Sequence, residues 1–204
     1  MSSERPRLNR DAVLRAAQAI IDERGLEACT MRAVAADLGV EAMSLYWHVP
    51  NKDALLDGVI ELMLAEIEAV ELPQGDWMTT LRMGGRAFRR VVLGHRNALP
   101  LLASRPLPAY AAASRLAEEA IRALEGAGFD RRTAIRSARL LSRYVLGFTL
   151  AERAPGQEPP PPSGSPALDE LLRTVAAEDP EELFEFGLET FVKGLEAWRE
   201  APPG

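Results

Sequence analysis

Residues 30–56, TMRAVAADLGVEAMSLYWHVPNKDALL, decide the fold of this 204-residue chain. Thr30 is a suitable N-cap for a short helix, Gly39 ends that helix in a tight turn, and a second short helical segment begins at Ala42. Two short helices joined by a glycine turn are typical of a helix-turn-helix, whose second helix lies in the major groove of DNA. The pattern therefore predicts such a motif at residues 30–48.

The aromatic run of the second segment bears on this interpretation. Tyr46, Trp47 and His48 are consecutive, and such a run is costly on a solvent-facing helix unless a partner covers it. In the alternative interpretation, one of the two large rings fills the small helical core. Both rings cannot do so, because adjacent helical residues point about 100° apart. At least one ring is therefore expected to face outward.

The remainder of the chain predicts helices and no strands. Leu and Ala dominate, and no alternating apolar runs bounded by turn residues occur. The first helix is expected to begin after Asn9 and to stop at Gly25, and Asn51 is expected to cap a long helix. Residues 155–166 are half proline, which predicts an extended, mobile connection. The further predicted helices are 76–94, 96–104, 107–126, 130–152, 167–178 and 181–199. Together these features predict an all-α fold.

The charge of the chain is unevenly distributed. The net charge is −6, yet residues 1–52 are neutral, residues 53–154 carry +2, and residues 155–204 carry −8 from 3 basic and 11 acidic residues. The first ten residues include three arginines. The charge pattern therefore permits DNA binding at the N-terminal end without requiring it.

The cysteine and histidine content limits the chemistry. Cys29 is the single cysteine, so no intrachain disulfide is possible, a reducing compartment is indicated, and the thiol is expected to act as a small buried hydrophobe. No signal peptide and no apolar stretch of about 20 residues is present, so we expect a cytoplasmic protein without a membrane partner. With two histidines and neither a phosphate-binding loop nor metal-ligand spacing, we predict no catalytic site, metal or cofactor.

LGVEAMSLYWHVPNKDALLDGVIELML, residues 38–64, resembles the DNA-binding domain of TetR-family repressors, and its LYWHVxNKxALLD core resembles the tetracycline repressor subgroup. Weaker counterparts follow in order at Trp77, Phe88, His95-Arg96, Ser104-Arg105-Pro106, Gly128-Phe129, Leu146-Gly147-Phe148 and residues 183–189. The resemblance implies a DNA-binding domain at residues 1–51 and an effector-binding and dimerisation domain at residues 52–204. It also implies a regulator that binds a palindromic operator as a homodimer and is released by a small-molecule effector.

The resemblance assigns DNA contacts residue by residue. Arg32 is expected to reach the edge of a base such as guanine, and Trp47 to pack beside the DNA backbone. Phosphate contacts are expected from Thr30, Tyr46, His48 and Lys52. The base-reading positions are Ala42, Met43 and Ser44. The tetracycline repressors carry Gln, Pro and Thr there, so we expect this chain to read a different operator, with apolar contacts to thymine methyl groups.

The effector region departs from the resemblance. Where the tetracycline repressors hold a magnesium chelate of the drug, this chain has Glu68, Leu101, Gly84 and Ala151, and a leucine cannot coordinate magnesium. We therefore expect a different effector, hydrophobic or amphipathic, with an acidic group for an arginine. The candidate residues are Met63, Glu68, Met83, Phe88, Leu101, Arg105, Tyr110, Arg143, Tyr144 and Phe148. Ordinary core packing is the alternative for each apolar residue. His95 is expected to serve packing or helix capping.

Two helices are too apolar for the surface of a monomer. The predicted helices 130–152 and 181–199 would form a four-helix interface in a homodimer, with Gly187 and Gly194 permitting close approach. The candidate interface residues are Leu141, Val145, Leu183, Gly187, Leu188, Phe191 and Leu195. A helical adaptor that binds only proteins is the alternative function, and it would lack the salt-sensitive DNA affinity expected here.

Overall fold

The computed structural model describes residues 8–69, 76–106, 110–152 and 164–200. In these ranges the chain folds into α-helices and short 3₁₀ turns, without a β-strand, so the all-α prediction is confirmed. The helices are α1 (Arg10–Arg24), α2 (Met31–Leu38), α3 (Ala42–Leu45), α4 (Lys52–Ala65), α5 (Trp77–Gly94), α6 (Leu99–Ser104), α7 (Ala111–Gly126), α8 (Arg131–Ala151), α9 (Pro166–Ala177) and α10 (Pro180–Glu200). The 3₁₀ segments are Leu26–Ala28, Glu66–Ala69 and Arg96–Ala98.

Three predictions concern residues that are only partly described. The N-terminal leader up to residue 7 and most of the proline-rich stretch, residues 155–163, lie outside the described residues. The helix predicted at 107–126 begins at Ala111, and residues 107–109 also lie outside the description.

Helix starts in the N-terminal part are set by capping side chains. Asn9 Oδ1 accepts the backbone N–H of Ala12 at 2.8 Å, and Asn51 Oδ1 accepts that of Ala54 at 2.8 Å. Thr30 Oγ1 does the same for the third residue of α2 at 3.1 Å. The turn between α2 and α3 is left-handed at Gly39, with φ +66°, a conformation that costs little only without a Cβ. The predicted caps at Asn9, Thr30 and Asn51 and the predicted stops at Gly25 and Gly39 are therefore confirmed.

Helix α4 joins the N-terminal half of the molecule, which contains α1 to α3, to the C-terminal half, which begins with α5. It packs against α1 on one side and against α5, α6 and α7 on the other. Its Leu55, Val59 and Met63 are completely buried. Because buried side chains are closely packed, a shift of α4 also moves the helices that it contacts in both halves.

Three arginine–glutamate pairs join α5 to α10. Arg82 donates to both carboxylate oxygens of Glu189 at 2.6 and 2.9 Å, and Arg86 does so to Glu185 at 2.7 and 2.6 Å. Arg89 reaches the third glutamate, at position 181, at 3.2 Å. The hydrogen bond from Arg82 lowers the pKa of Glu189. Paired guanidinium and carboxylate groups thus fix the register of two antiparallel helices.

Arg89 is a buried cation, with only 4 % of its side chain exposed. Besides its pair on α10, it donates to Glu152, just after α8, at 3.0 Å. Its guanidinium lies 4.4 Å from the ring centre of Phe184 and 5.2 Å from that of Phe148. Arg89 therefore holds the end of α8 close to the start of α10 by ion pairs and by contacts with two aromatic rings.

Candidate nucleic-acid interface and effector site

Helix α3 presents an apolar outer face to solvent. Leu45 is completely buried and anchors the helix, whereas Met43 is 70 % exposed. In the turn that follows, Tyr46 is 45 % and Trp47 is 90 % exposed. Neither large ring fills the core, so the alternative in which one of them does is wrong. The exposed side chains form a surface that water solvates poorly and that a partner could cover.

The other predicted DNA contacts lie on or beside this motif. Arg32 is exposed on the first turn of α2, and Lys52 is exposed at the first residue of α4. Thr30 is also exposed, although its hydroxyl oxygen already accepts the N-cap hydrogen bond. The half-buried members of the predicted set are Ala42, Ser44 and His48. One exposed cation, Arg32, therefore lies at the start of α2, and a second, Lys52, lies at the start of α4.

The predicted effector residues fall into different environments. Met63, Phe88, Leu101 and Tyr110 are buried, and the half-buried members are Met83, Arg105, Tyr144 and Phe148. The side chain of Glu68 lies outside the described residues. Arg143 is exposed on α8 and does not belong to this interior set, because its neighbours Leu141 and Val145 take the inward face of the helix.

A polar cluster joins the segment between α6 and α7 to the first turns of α4. Tyr110 Oη donates to Asp57 Oδ1 at 2.8 Å, and Arg105 lies 3.0 Å from Asp53 and 3.5 Å from Asp57. Burial, followed by the hydrogen bond to Asp57 and the charge of Asp57, raises the pKa of Tyr110 to about 12. The phenol therefore remains a hydrogen-bond donor at neutral pH and holds the start of α4 in place.

Tyr144 and Phe148 belong to a second, aromatic cluster. Their ring centres lie 5.7 Å apart, and each ring contacts Phe184 on α10, at 5.3 and 5.5 Å. Tyr144 Oη donates to the carbonyl oxygen of Phe184 at 2.8 Å, and burial raises the pKa of Tyr144. The predicted effector residues thus lie in two groups, one against α4 and one between α8 and α10.

Several predicted interface residues are already covered within one chain. Leu141, Val145 and Leu188 are buried in the protomer core and have little surface left to offer a partner. Gly187 allows a close approach, but the neighbour is Tyr144 of the same chain, whose hydroxyl a Cβ would overlap. The interface candidates that keep exposed or half-buried surface are Leu183, Phe191 and Leu195. Apolar content alone did not reveal which face of each helix points inward.

Sequence reasoning missed a junction around His95. This buried imidazole lies between α1 and the 3₁₀ segment after α4, with Nδ1 2.9 Å from Asp22 Oδ2 and Nε2 3.1 Å from Glu66 Oε1. These partners are 73 and 29 residues away in sequence, so no local pattern indicates them. His95 is buried and is the C-cap residue of α5, as expected, but packing and capping do not account for its two carboxylate partners. Cys29, in contrast, is completely buried as expected, and burial raises the pKa of its thiol.

Comparison with known families identifies the chain. Residues 13–59 match the bacterial regulatory proteins of the tetR family, and residues 69–199 match the tetracyclin repressor-like C-terminal domain. The chain belongs to the TetR family. Members of this family are ligand-responsive transcriptional regulators and not enzymes.

Individual TetR-family relatives align along most of the chain. The class D tetracycline repressor protein of Escherichia coli is 33 % identical over 199 residues, which cover 93 % of this chain and 90 % of that protein. ActR of Streptomyces coelicolor in complex with actinorhodin superposes with a TM-score of 0.79 and 30 % identity, covering 95 % and 99 % of the two chains. BioQ with its double-stranded DNA operator gives a TM-score of 0.69 and 28 % identity, covering 93 % and 98 %.

Three of the four residues that we expect at the tetracycline-binding positions, Leu101, Gly84 and Ala151, have no side chain that binds a metal. Leu101 is buried, and Gly84 is packed so closely that a Cβ there would lie 3.3 Å from Leu116. Ala151 is exposed at the end of α8. In the described part of the chain, no group of acidic, histidine or cysteine side chains could hold a metal ion. Within the same ranges no helix is long and apolar enough to cross a bilayer.

Proposed function

We propose that this TetR-family regulator is a repressor that binds a palindromic operator as a homodimer and leaves it when a small molecule other than magnesium–tetracycline binds. The observation that carries the proposal is the exposure of Met43, Tyr46 and Trp47 on and after α3. An apolar and aromatic surface of this kind is expensive in water, and a DNA groove with its flanking backbone would cover it.

The operator is expected to differ from that of the tetracycline repressors. Met43 is 70 % exposed on α3 and offers only apolar contact, which suits the methyl group of thymine. Arg32 is free to read guanine with two parallel hydrogen bonds, and Lys52 supplies a phosphate contact. The operator complex of BioQ supports DNA as the partner of this fold.

The homodimer is expected to form through α8 and α10. Leu140 on α8 and Phe186 on α10 are exposed, the latter by 71 %. Leu183, which is also exposed, precedes Phe186 by three residues on α10. Pairing two copies about a two-fold axis would cover these side chains and place the two α3 helices about one turn of DNA apart, ~34 Å.

The effector is expected to be a hydrophobic or amphipathic molecule. Met63 on α4, Phe88 on α5 and Leu101 on α6 are apolar and buried, and none of them binds magnesium. ActR is a relative of the same fold whose ligand is actinorhodin, so the fold accommodates effectors other than a tetracycline. Arg105 is the candidate partner for an acidic group, in competition with its carboxylates on α4.

The test is in vitro selection of sites from a random DNA pool with the purified protein, followed by release assays on the selected site. We expect a two-fold symmetric site whose binding falls steeply as salt rises. Magnesium with tetracycline is expected to leave the complex intact, whereas an apolar acid of suitable size releases it. If no site is enriched at low salt, even after ligand-stripping by unfolding and refolding, the protein-binding adaptor becomes the better interpretation.

A further inference from the structure

We infer that His95 is a positioning residue for operator binding, whose protonated ring ties α1 of the DNA-binding half to the end of α4 and whose deprotonation releases one of these ties. The inference rests on the proposed operator binding and assigns a regulatory input to it. His95 occupies the C-cap of α5 and is buried, so it touches both halves of the molecule without contacting the predicted DNA surface.

Carboxylates face both nitrogens of the His95 ring. Nδ1 lies 2.9 Å from Asp22 Oδ2 on α1, and Nε2 lies 3.1 Å from Glu66 Oε1 after α4. A carboxylate only accepts hydrogen bonds, and only a protonated imidazole carries an N–H on each nitrogen. The arrangement of both carboxylates around the ring therefore matches the imidazolium form, which makes two charge-assisted hydrogen bonds to two different elements.

A second set of contacts suits the neutral ring. Gln18 Nε2 on α1 lies 3.3 Å from the same Nε2 of His95 and can donate to it once its proton has left. The neutral ring then keeps Nδ1–H on Asp22 and accepts from Gln18, so both bonds go to α1. The carboxylate of Glu66 then faces the lone pair of Nε2, and two acceptors cannot form a hydrogen bond. Because the Glu66 side chain is half exposed, it turns to water. The proton thus decides whether His95 joins three segments or only two.

The remaining groups around His95 do not replace this tie. Asn97 donates to the backbone carbonyl of Asp22 at 2.8 Å and does not titrate. Arg96, the neighbouring cation, is directed to Glu152 at 3.0 Å. The carboxylates that face the ring are therefore those on α1 and after α4.

The released partner lies where an effector signal would arise. Glu66 belongs to the same 3₁₀ segment, Glu66–Ala69, that carries the predicted effector residue Glu68. Fixing this segment to α1 holds the DNA-binding half at a set angle to the rest of the protomer. A preorganised orientation avoids an entropic cost when both halves of a dimer engage one operator. Protonation is therefore expected to tighten operator binding.

The experiment measures operator affinity from pH 6 to pH 8 at constant ionic strength, using the site selected with the wild-type protein. His48 is the only other histidine and lies in the predicted DNA surface, so the comparison is made between His48→Gln and the double variant His48→Gln/His95→Gln. We expect affinity to fall about fivefold more across this range in the single variant than in the double variant. Equal pH profiles would overturn the inference.

A second variant separates positioning from mere structural support. In the His48→Gln background, the amide of Glu66→Gln can donate to an unprotonated Nε2, so the tie no longer needs the proton. The pH profile should flatten relative to His48→Gln alone, while affinity at pH 8 stays close to its pH 6 value. A variant that keeps the His48→Gln profile would contradict the role given to Glu66.

Hydrogen exchange of the free protein tests, without DNA, whether His95 ties α1 to the segment after α4. After correction for the pH dependence of chemical exchange, the amides of residues 18–24 should open more readily at pH 8 than at pH 6 in the wild type, and equally at both in His95→Gln. If the wild type binds no DNA, the proposed function fails, but the exchange experiment still decides whether His95 forms the tie. Unchanged protection of the wild type between pH 6 and pH 8 would overturn the inference about His95.

Discussion

The contacts that shape the N-terminal and C-terminal halves of this molecule differ in how far apart the two partners lie in sequence. In residues 8–69, helices α1, α2 and α4 begin at capping bonds between residues three apart, as from Asn51 to Ala54. In residues 76–200 the helices are joined by ion pairs such as Arg82–Glu189, whose partners lie 107 residues apart. Local contacts can form while the rest of the chain is still unfolded, whereas the distant pairs require the completed fold. Removing one contact of each kind should therefore have unequal effects.

The largest effect is expected from removing the buried cation of the C-terminal half. Arg89→Met leaves Glu152 buried with Arg96 as its remaining partner in the described part of the chain, which should lower the free energy of unfolding by about 3 kcal/mol. Urea unfolding measures the change. Arg15→Met, which breaks an exposed pair with Asp11 on α1, is the matched control and should leave the midpoint unchanged. Equal effects of the two substitutions would remove the contrast between the halves.

A methyl group added to α10 tests packing in the same half. Gly187→Ala places a Cβ against the Tyr144 hydroxyl, and the resulting strain should lower the free energy of unfolding by about 2 kcal/mol. Gly194→Ala on the same helix meets nothing within 4 Å and should be neutral or slightly stabilising. The same unfolding experiment compares them, and a harmless alanine at position 187 would mean that α8 and α10 are packed differently.

In the N-terminal half, a single exposed cation should affect DNA binding alone. Arg32→Ala is expected to weaken binding to the selected operator by about 1–3 kcal/mol through loss of a base contact, with the dimer unchanged. Arg24→Ala removes an exposed arginine at the end of α1 and controls for the loss of one positive charge. Fluorescence anisotropy on specific and scrambled DNA measures both. Equal losses for the two variants would show that Arg32 contributes charge and not sequence recognition.

The smallest effect concerns the cluster that joins the halves, and it appears at high pH. The pKa of Tyr110 is raised to about 12, so its contribution to stability is present below its unfolded value and is lost as pH rises through about 12. Absorbance titration of tyrosinate should show a late step that Tyr110→Phe removes. The substitution should also cost about 1 kcal/mol at neutral pH, because Asp57 loses one hydrogen bond. A titration that keeps its late step would assign the raised pKa to another tyrosine.

The same difference in range explains which features the sequence could predict. Asn9, Thr30 and Asn51 act on residues three positions away, so the starts of α1, α2 and α4 were predictable from local pattern. The faces of α8 and α10 were not, because their apolar residues nearly encircle each helix and only the packed fold shows that Leu188 is buried while Phe186 is exposed.

For the candidate sites too, residues that are close in sequence were predictable and residues that only the fold brings together were not. The DNA-binding residues fall within one continuous stretch and were predictable by resemblance, and they stay a prediction until DNA binding is measured. The surroundings of His95 and Arg89 depend on partners tens of residues away, and no residue spacing along the chain could indicate them. The predicted effector residues came together only in part, because one group lies against α4 and the other lies between α8 and α10.

The central claim is that the exposed face of α3 reads the operator sequence. It is tested most directly by repeating the in vitro selection with Met43→Gln, and with Arg139→Gln, an exposed position on α8, as the control. A glutamine amide pairs with adenine through two hydrogen bonds, so we predict a consensus that changes at one symmetry-related pair of positions, whereas the control keeps the wild-type consensus. An unchanged consensus for Met43→Gln would contradict the claim.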